Sequence, residues 1–439
     1  MGIQNFPAAL QPIIQQGFLE KAFEDAILPE MKFRMVADKE PFAAGIGETI
    51  TKTRRGLKAP IETDADPTTN TNLDNGMTPT GWTVEQYTMG ISQLNDTIDL
   101  NMVTQKVGIA NQFVENAKVN GVQSGQSVDR KARKALYGAY LSGNTYVTAT
   151  LGAPGVTVAV DNVVGFDKVF VNGVFVPVSN TNPLTVTIGA GVYSVVGFAY
   201  DGSNTSRCKA FGGRSGTLTT SANVSVSNGT LGNAVVSAVA PALLRSSARA
   251  STTQLVSGDT LKLALLEDAV VSLRNSRTPK INGRYNCYLS PRSMRQLFSD
   301  QDFKDLFRGE YGAKEMKELD VVELVDLRFL PTTEAPQEPT VGGLKVERPI
   351  VVGGGALVES DFEAGVGYSD IVGNNAMIEV VEGVAMVTRE PLDRLQQIVA
   401  QSWYWIGGFV APTDITSNPT IIPTTSNAAY KRGVVIEHV

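Results

Sequence analysis

The chain has 439 residues and a net charge of −6, with 42% hydrophobic and 19% charged residues, which suits two or three globular domains. The acidic balance excludes a protein that holds nucleic acid in a basic groove, because such binding neutralises phosphates with lysine and arginine. The single histidine, His438, leaves no material for histidine-based metal sites, triads or acid–base pairs.

The sequence predicts a soluble protein that is made inside the cell. Its start, MGIQNFPAALQP, has neither the basic stretch nor the apolar core of a signal peptide. No apolar run approaches the ~20 residues that span a bilayer. Cys208 and Cys287 lie far apart and in no motif, which favours two free thiols in a reducing compartment; a disulfide is the alternative.

The N-terminal part predicts an arm followed by a long hairpin. An amphipathic segment ends at Pro29 and is expected to pack on another part of the protein. From Phe42 to Asp99, GETITKTRRG and WTVEQYTMGIS flank a centre rich in Pro, Asn, Thr and Asp, which predicts two strands and a polar tip. Because an isolated two-stranded hairpin is marginal in water, we expect it to lie on a neighbouring subunit; an ordinary hairpin over its own domain is the alternative.

Val107 to Tyr140 is predicted to be the longest helix. Its apolar residues recur at intervals of three, four or seven, and an unbroken helix of this length would be roughly 50 Å long. Gly121 and Gly125 weaken its middle. The stripe is rich in small residues, which indicates a close neighbour along its length.

A change of composition marks an all-β insertion. The segment from Thr145 to Pro241 is rich in Val, Thr, Ser, Asn and Gly and poor in charge, and its short apolar runs predict a small sandwich or barrel. Asn172-Gly173 lies between two β-branched runs and predicts a two-residue hairpin turn. A pattern of both helices and strands resumes near Thr253, where Asp259 is predicted to cap a helix containing Leu261 and Leu273.

The stretch from Tyr285 to Pro336 is highly patterned but carries no residue set that suggests chemistry. A strand, YNCYL, leads into Ser290-Pro291, which predicts the cap and first turn of a helix. A second amphipathic piece begins near Phe303, and GEYG after it is predicted to be a turn. VVELV and LRFLP are each predicted to be strands.

The remaining chain is predicted to return to strands and to end in an arm. Strands are expected at Ile350 to Val352, Ile371 to Val372 and Met377 to Val387. A strand or a helix is expected from Arg394 to Val410, with Trp403 to Trp405 as a core cluster. The Thr-, Ser-, Asn- and Pro-rich last thirty residues predict an extended arm ending in VVIEHV.

Three patterns in the sequence could mark sites. Gly353-Gly354-Gly355 lacks the lysine and Ser/Thr of a phosphate loop and is interpreted as a turn. The carboxylate pairs Glu359/Asp361 and Asp300/Asp302 lack flanking ligands, which favours solvated or capping roles. The basic cluster at Lys52 to Arg55 favours ion pairs with a neighbour, or equally a solvated strand face.

Taken in order, these elements resemble the major capsid protein of tailed bacteriophages, which has the Hong Kong 97-like fold. The resemblance implies an α+β fold and covers nearly the whole chain apart from 145–252. The implied segments, in chain order, are an N-terminal arm (1–41), an extension loop (42–101), a peripheral domain with the spine helix (102–144), a β-rich insertion (145–252), a peripheral helix (253–283), an axial domain (284–375), peripheral return strands (376–412) and a C-terminal arm (413–439).

The sequence departs from that family in two respects. No long, charged, helical N-terminal segment is present to act as a built-in scaffold, which implies a separate scaffolding protein. Some relatives form isopeptide cross-links from a lysine of the extension loop. Lys52 and Lys58 lie in the equivalent loop, but no matching asparagine or catalytic carboxylate is identified, so no cross-linking is predicted.

The resemblance implies a structural subunit of an icosahedral phage head, present in the virion and assembled in the host cytoplasm. Expected partners are other copies in hexamers and pentamers, a scaffolding protein, a portal and a possible cement or decoration protein, around double-stranded DNA that is enclosed without sequence-specific binding. We expect no catalysis, cofactor, metal or membrane contact. The candidate inter-subunit contacts are Lys52, Arg54, Arg55, Trp82, Tyr87, Arg308 and Tyr311. The alternatives are a surface-exposed β-rich adhesin, another structural assembly protein and an enzyme with a β-rich substrate domain.

Overall fold

The computed structural model describes most of the chain. The described residues are 23, 25, 32–42, 47–61, 81–82, 84–101, 112–310, 323–335, 338–339, 343–362, 377–389, 397–414 and 420–439. They fall into two compact units. The first draws on Met1–Ile50, Thr88–Arg133 and Leu357–Val410, and the second on Thr51–Tyr87, Lys134–Ala356 and Ala411–Val439. Among the described helices, none combines the length and apolar composition needed to cross a membrane.

The described residues form strands far more often than helices. The strands up to the end of the insertion are β1 (Ala37–Phe42), β2 (Thr49–Arg55), β3 (Val84–Gly90), β4 (Ser92–Asn101), β5 (Asn144–Tyr146), β6 (Gly155–Val160), β7 (Lys168–Val171), β8 (Val174–Pro177), β9 (Leu184–Ile188), β10 (Gly191–Tyr200), β11 (Gly216–Val224), β12 (Ala234–Ser237) and β13 (Leu243–Arg245). The later strands are β14 (Tyr285–Leu289), β15 (Glu323–Leu324), β16 (Leu327–Pro331), β17 (Glu338–Pro339), β18 (Lys345–Val346), β19 (Ile350–Val352), β20 (Leu357–Phe362), β21 (Met377–Val381), β22 (Val384–Arg389), β23 (Ile398–Val410) and β24 (Gly433–Glu437). The α-helices are α1 (Gln112–Tyr140), α2 (Leu263–Asn275), α3 (Pro291–Leu297) and α4 (Gln301–Glu310).

The first unit is built on one mixed sheet, in the order β1-β20-β23-β22-β21, with β4 also paired to β23. The long strand β23 resolves the choice between strand and helix for this part of the sequence. Trp403 and Trp405 are each 2% exposed and pack in one core with Ala117 and Val128 of α1, which confirms the aromatic cluster as core. The segment predicted as one strand, Met377 to Val387, is instead the hairpin β21–β22, which turns at Glu382-Gly383 with positive φ at both residues.

Helix α1 confirms the predicted spine helix over its described length. It runs unbroken for 29 residues, about 43 Å at 1.5 Å per residue. Gly121 and Gly125 do not interrupt it. Residues 107–111 of the prediction lie outside the described residues.

The second unit contains a six-stranded sheet in the order β13-β24-β19-β14-β16-β15. Strand β14 is wholly buried, and its core includes Cys287, Met294, Leu297 and Phe303 from the same stretch of sequence. The predicted strand YNCYL, the helix that follows it and the strand LRFLP are therefore confirmed. Of the predicted strand VVELV, only Glu323 and Leu324 form a strand, Val325 lies in the turn that follows with φ 49°, and residues 321–322 lie outside the described residues. The predicted turn at GEYG is wrong for Gly309 and Glu310, which continue helix α4.

The end of the chain corrects the sequence interpretation. Gly433–Glu437 was predicted to be the end of an extended arm, but it forms β24, which lies between β13 and β19 and is buried at all five positions. The surrounding composition is polar and proline-rich, so the pattern concealed a short core strand.

The all-β segment forms its own six-stranded sheet, in the order β5-β12-β9-β10-β11-β6, in which the described pairings are antiparallel. Its core is dominated by valines and leucines such as Val158, Val186 and Leu218. Strands β7 and β8 form a separate two-stranded sheet. Asn172 (φ 49°) and Gly173 (φ 89°) make its turn, which confirms the predicted two-residue hairpin.

Of the two carboxylates considered as helix caps, Asp259 does not cap helix α2, whereas Asp300 has the capping role that was one of the two expected for it. Helix α2 starts at Leu263 rather than beside Asp259. The Asp259 carboxylate instead accepts from the Ser247 hydroxyl at 2.6 Å and the Val256 N–H at 2.9 Å, so the predicted cap at Asp259 is wrong. The free Leu263 N–H donates to the Asp300 carboxylate at 2.9 Å, so Asp300 caps a helix that is distant in sequence.

Ser290 caps helix α3 as predicted. Its hydroxyl accepts from the Ser293 N–H at 3.2 Å, and Pro291 opens the helix. Replacing Ser290 with alanine is expected to lower the free energy of unfolding by about 1 kcal/mol, because that N–H loses its acceptor. Urea unfolding of Ser290→Ala against Ser299→Ala, which alters an exposed serine beyond the end of the same helix, measures the difference. Equal losses in the two variants would contradict the capping role.

Candidate functional site

The structure brings most of the predicted contact residues to one strand pair. Lys52, Arg54 and Arg55 lie on β2, and Tyr87 lies on its partner β3. Trp82 lies two residues before β3 and is 51% exposed. The backbone of Arg308 belongs to α4, while its side chain and the whole of Tyr311 lie outside the described residues. We define the hairpin base as β2, β3 and the described residues next to them.

Arg54 is already engaged within its own chain. Its guanidinium donates to the Asp414 carboxylate at 3.2 Å and to the Gly355 carbonyl at 3.3 Å. Arg432 donates to the same carboxylate at 2.8 and 3.1 Å and to the Gly354 carbonyl at 2.9 Å. Asp414 thus accepts from two arginines, which anchors β2 on the glycine turn that follows β19.

Neither Asp414 nor Arg432 was singled out from the sequence. Both lie in the Thr- and Pro-rich segment that was predicted to be an arm. The available signal was the dipeptide Lys431-Arg432 directly before an apolar run. Arg432 lies 18 residues from Asp414 in the sequence, and Arg54 lies 360 residues from it. No local sequence pattern therefore connects the three residues.

Aromatic residues pack beside this cluster. Tyr140 donates from its hydroxyl to the Ala356 carbonyl at 3.1 Å, and its ring lies 6.0 Å from that of Tyr430. Burial, with a smaller contribution from the charge of Asp414, raises the pKa of Tyr140 far above its ordinary value. Burial likewise raises the pKa of Tyr430 to about 12. Both phenols therefore stay neutral and serve as packing groups.

The hairpin base also carries apolar side chains that are open to solvent. Leu57 is 47%, Ile61 82% and Trp82 51% exposed. Single exposed apolar residues are ordinary, but three of them, one a tryptophan, in the segments next to one strand pair are typical of a surface that becomes covered. Arg55 on β2 is exposed as well.

The described residues show no constellation suited to catalysis. No group of three or more His, Cys, Asp or Glu side chains among them could hold a metal ion. Both cysteines are free, as predicted, and burial raises the pKa of the Cys287 thiol to about 12. Gly353 to Gly355 form a turn. The carboxylate of Glu359 is not solvated as expected but is buried in an ion pair with Arg34.

One serine and the histidine are in contact. Ser293 and His438 are both 0% exposed, and the serine hydroxyl lies 2.8 Å from His438 Nε2. No described group hydrogen-bonds His438 Nδ1, so the third member that orients a catalytic histidine is missing. Complete burial also denies a substrate access to the hydroxyl.

His438 makes stability depend on pH. Burial, and then the charge of Arg292, lowers its pKa to about 4, against about 6.5 in an unfolded chain. The unfolded state therefore binds the proton first. The contribution of the neutral imidazole to the free energy of unfolding is therefore fully present above pH 6.5. As the pH drops towards 4, the free energy of unfolding is expected to fall by about 3 kcal/mol in total.

This dependence can be isolated because His438 is the only histidine. Urea unfolding of the wild type and of His438→Gln at pH 7, 5.5 and 4.5 measures it. The wild type is expected to lose more stability than the variant over this interval, since glutamine does not titrate. Parallel pH profiles would contradict the assignment.

No protein-family model matches the sequence, and no curated protein sequence does so either. Solved structures do match. The capsid of Ralstonia phage GP4 is similar over 92% of this chain and 87% of that chain, with a TM-score of 0.50 and 12% sequence identity. The chain has a phage capsid fold. The capsid of cyanophage P-SCSP1u matches over 93% of this chain and 88% of that chain, with 8% identity and a TM-score of 0.48. The asymmetric unit of the cyanophage Pam1 capsid covers 90% and 86%, with 11% identity and a TM-score of 0.45.

The phage capsid fold confirms the family resemblance found in the sequence and the α+β class predicted from it. It confirms the fold at the level of the whole chain. The division into arm, extension loop, peripheral, insertion and axial segments stays a prediction, as do the seven candidate contact residues.

Proposed function

We propose that this protein is the major capsid protein of a tailed bacteriophage, which assembles into hexamers and pentamers of an icosahedral head around double-stranded DNA. The observation that carries the proposal is the likeness of 92% of the chain to the fold of a phage capsid subunit.

Assembly would proceed by covering the hairpin base on a neighbouring copy. Leu57, Ile61 and Trp82 would leave water there, and a central aromatic anchor is the kind of residue that dominates interface energies. Each contact is modest, but closed symmetry repeats it around every capsomer. The net charge of −6 suits a container, because a strongly cationic wall would hold DNA by counterion release.

The proposal extends to partners and place. A separate scaffolding protein and a portal would act during assembly in the host cytoplasm, and a cement or decoration protein is compatible with the shell. The finished subunit would belong to the virion.

Electron microscopy of the purified protein, alone and co-expressed with the scaffolding protein of the same phage, tests the function. Shells or capsomer rings are the expected result. Monodisperse monomers under all these conditions would overturn the proposal.

Trp82 offers the sharpest test of the contact surface. Replacing it with alanine is expected to abolish or strongly reduce shell formation, because loss of an anchor costs about 2 kcal/mol at each contact. The melting temperature of the unassembled chain should stay unchanged, since the side chain is 51% exposed. Val192→Ala, which alters a 69% exposed residue of the insertion, is the control and should assemble normally. Normal shells from Trp82→Ala would remove this residue from the interface.

A further inference from the structure

The hairpin β7–β8 is paired separately from the six-stranded sheet of its own insertion, although Val169 of β7 packs against the core of that insertion. It is a two-stranded sheet of four-residue strands, and such a hairpin is marginally stable by itself. Its position must therefore come from what it touches. The contacts of its turn and of its aromatic face lead to two places within the second unit.

The turn of this hairpin contacts strand β3. The Gln86 N–H donates to the Gly173 carbonyl at 3.1 Å. A Cβ atom added at Gly173 would lie 2.5 Å from the Val84 carbonyl oxygen, and the residue has φ +89°. Both the left-handed conformation and the close approach of the two backbones thus require glycine at this position.

The aromatic face of the hairpin contacts the end of the chain. Phe175 stacks on Tyr430 with ring centroids 6.3 Å apart and an interplanar angle of 24°. Phe170 supports Phe175 edge-on at 5.2 Å. Tyr430 lies two residues before Arg432, which shares the Asp414 carboxylate with Arg54 of β2. The hairpin is therefore held between β3 and the residues that anchor β2.

We propose that the β7–β8 hairpin is a clamp on the hairpin base, and that the partner of this part of the insertion is the chain's own strand β3. The clamp fixes the backbone at Val84 and Gln86, two to four residues from Trp82. It thereby sets where the exposed indole of Trp82 is presented. This role differs from decoration of an outer surface or binding of an external protein.

Hydrogen exchange in the unassembled chain tests the clamp directly. In Gly173→Ala the added methyl group displaces β3, so exchange of the Gln86 amide should accelerate by roughly fivefold or more, the factor that corresponds to about 1 kcal/mol of lost hydrogen bonding. Gly152→Ala is the matched control, because no atom lies within 4 Å of the added Cβ there. Peptides from β9 and β10 report whether the insertion itself stays folded.

A second variant keeps the test decisive if Gly173→Ala disturbs the whole insertion. Phe175→Ala removes the stack on Tyr430 without changing the turn, and it should also accelerate exchange at Gln86. Val174→Ala, at a 39% exposed neighbour on the same hairpin, should leave exchange unchanged. Unchanged exchange at Gln86 in Phe175→Ala and in any folded Gly173→Ala protein would overturn the clamp. Because the measurement uses the unassembled chain, its outcome is independent of whether the protein forms shells.

Discussion

Replacing Glu437 with glutamine is expected to lower the free energy of unfolding by about 3–5 kcal/mol, the cost of removing one partner from a buried ion pair. The Glu437 carboxylate accepts from Arg245 at 2.7 Å, from Arg348 at 2.9 Å and from the Thr252 hydroxyl at 2.8 Å. All three charged side chains are at most 9% exposed. Glutamine keeps the shape but removes the negative charge that both guanidiniums contact in a buried site.

The pKa of Glu437 supports this expectation. Burial opposes ionisation, but the two arginines outweigh it and lower the pKa to about 2, from an ordinary value near 4.3. The carboxylate therefore stabilises the fold at all pH values above about 4.3, and this contribution is lost as the pH falls towards 2.

Urea unfolding at pH 7 measures the loss in Glu437→Gln. The matched control is Glu323→Gln, which alters a carboxylate paired with Arg284 where both side chains are 38–39% exposed. Surface pairs of this kind contribute about 0–1 kcal/mol, so the control should remain close to the wild type. A loss below about 1 kcal/mol in Glu437→Gln would show that the buried network is not needed for stability.

Replacing Arg34 with methionine is expected to cost a similar amount, about 3–5 kcal/mol, in the first unit. The Arg34 guanidinium binds both carboxylate oxygens of Glu359, with Nη2 at 2.6 Å from Oε1 and Nε at 2.9 Å from Oε2. The two side chains are 6% and 2% exposed. Methionine fills comparable space but leaves the Glu359 carboxylate buried and unpaired.

Lys39→Met is the control for this variant. Lys39 pairs with Glu382 at 3.3 Å, and the two side chains are 49% and 48% exposed, so its replacement should change stability by less than about 1 kcal/mol. Hydrogen exchange of peptides from β20 and β23 localises the loss in Arg34→Met. Equal free energies of unfolding for the two variants would contradict the larger contribution to stability that is expected of the buried pair.

The features that were predictable from sequence are local ones. Ser290-Pro291 and Asn172-Gly173 determine a cap and a turn through their own backbone preferences, so each was found without knowledge of its partners. The spine helix was likewise visible because its apolar spacing persists over many turns. The order of these elements was enough to identify the fold.

The missed features depend on partners that are distant in the chain. Asp259 has the composition of a cap, but Ser247 and Val256 occupy its carboxylate. In the sequence Glu359 has the surroundings of a surface carboxylate, but in the structure it pairs with Arg34, which lies 325 residues away. The anchoring of the hairpin base by Asp414 has the same origin. Sequence therefore identified β2 and β3 as candidate contacts but not the residues that hold them.

The position of β24 has a consequence for the timing of synthesis. This strand lies between β13 and β19, and its Glu437 pairs with Arg245 from 192 residues earlier. At roughly 5–20 residues per second on the ribosome, about 10–40 s separate the synthesis of β13 from that of β24. The second unit cannot complete this sheet until β24 has been synthesised. Folding of this sheet, and any step that requires it, is thereby delayed until β24 has left the ribosome.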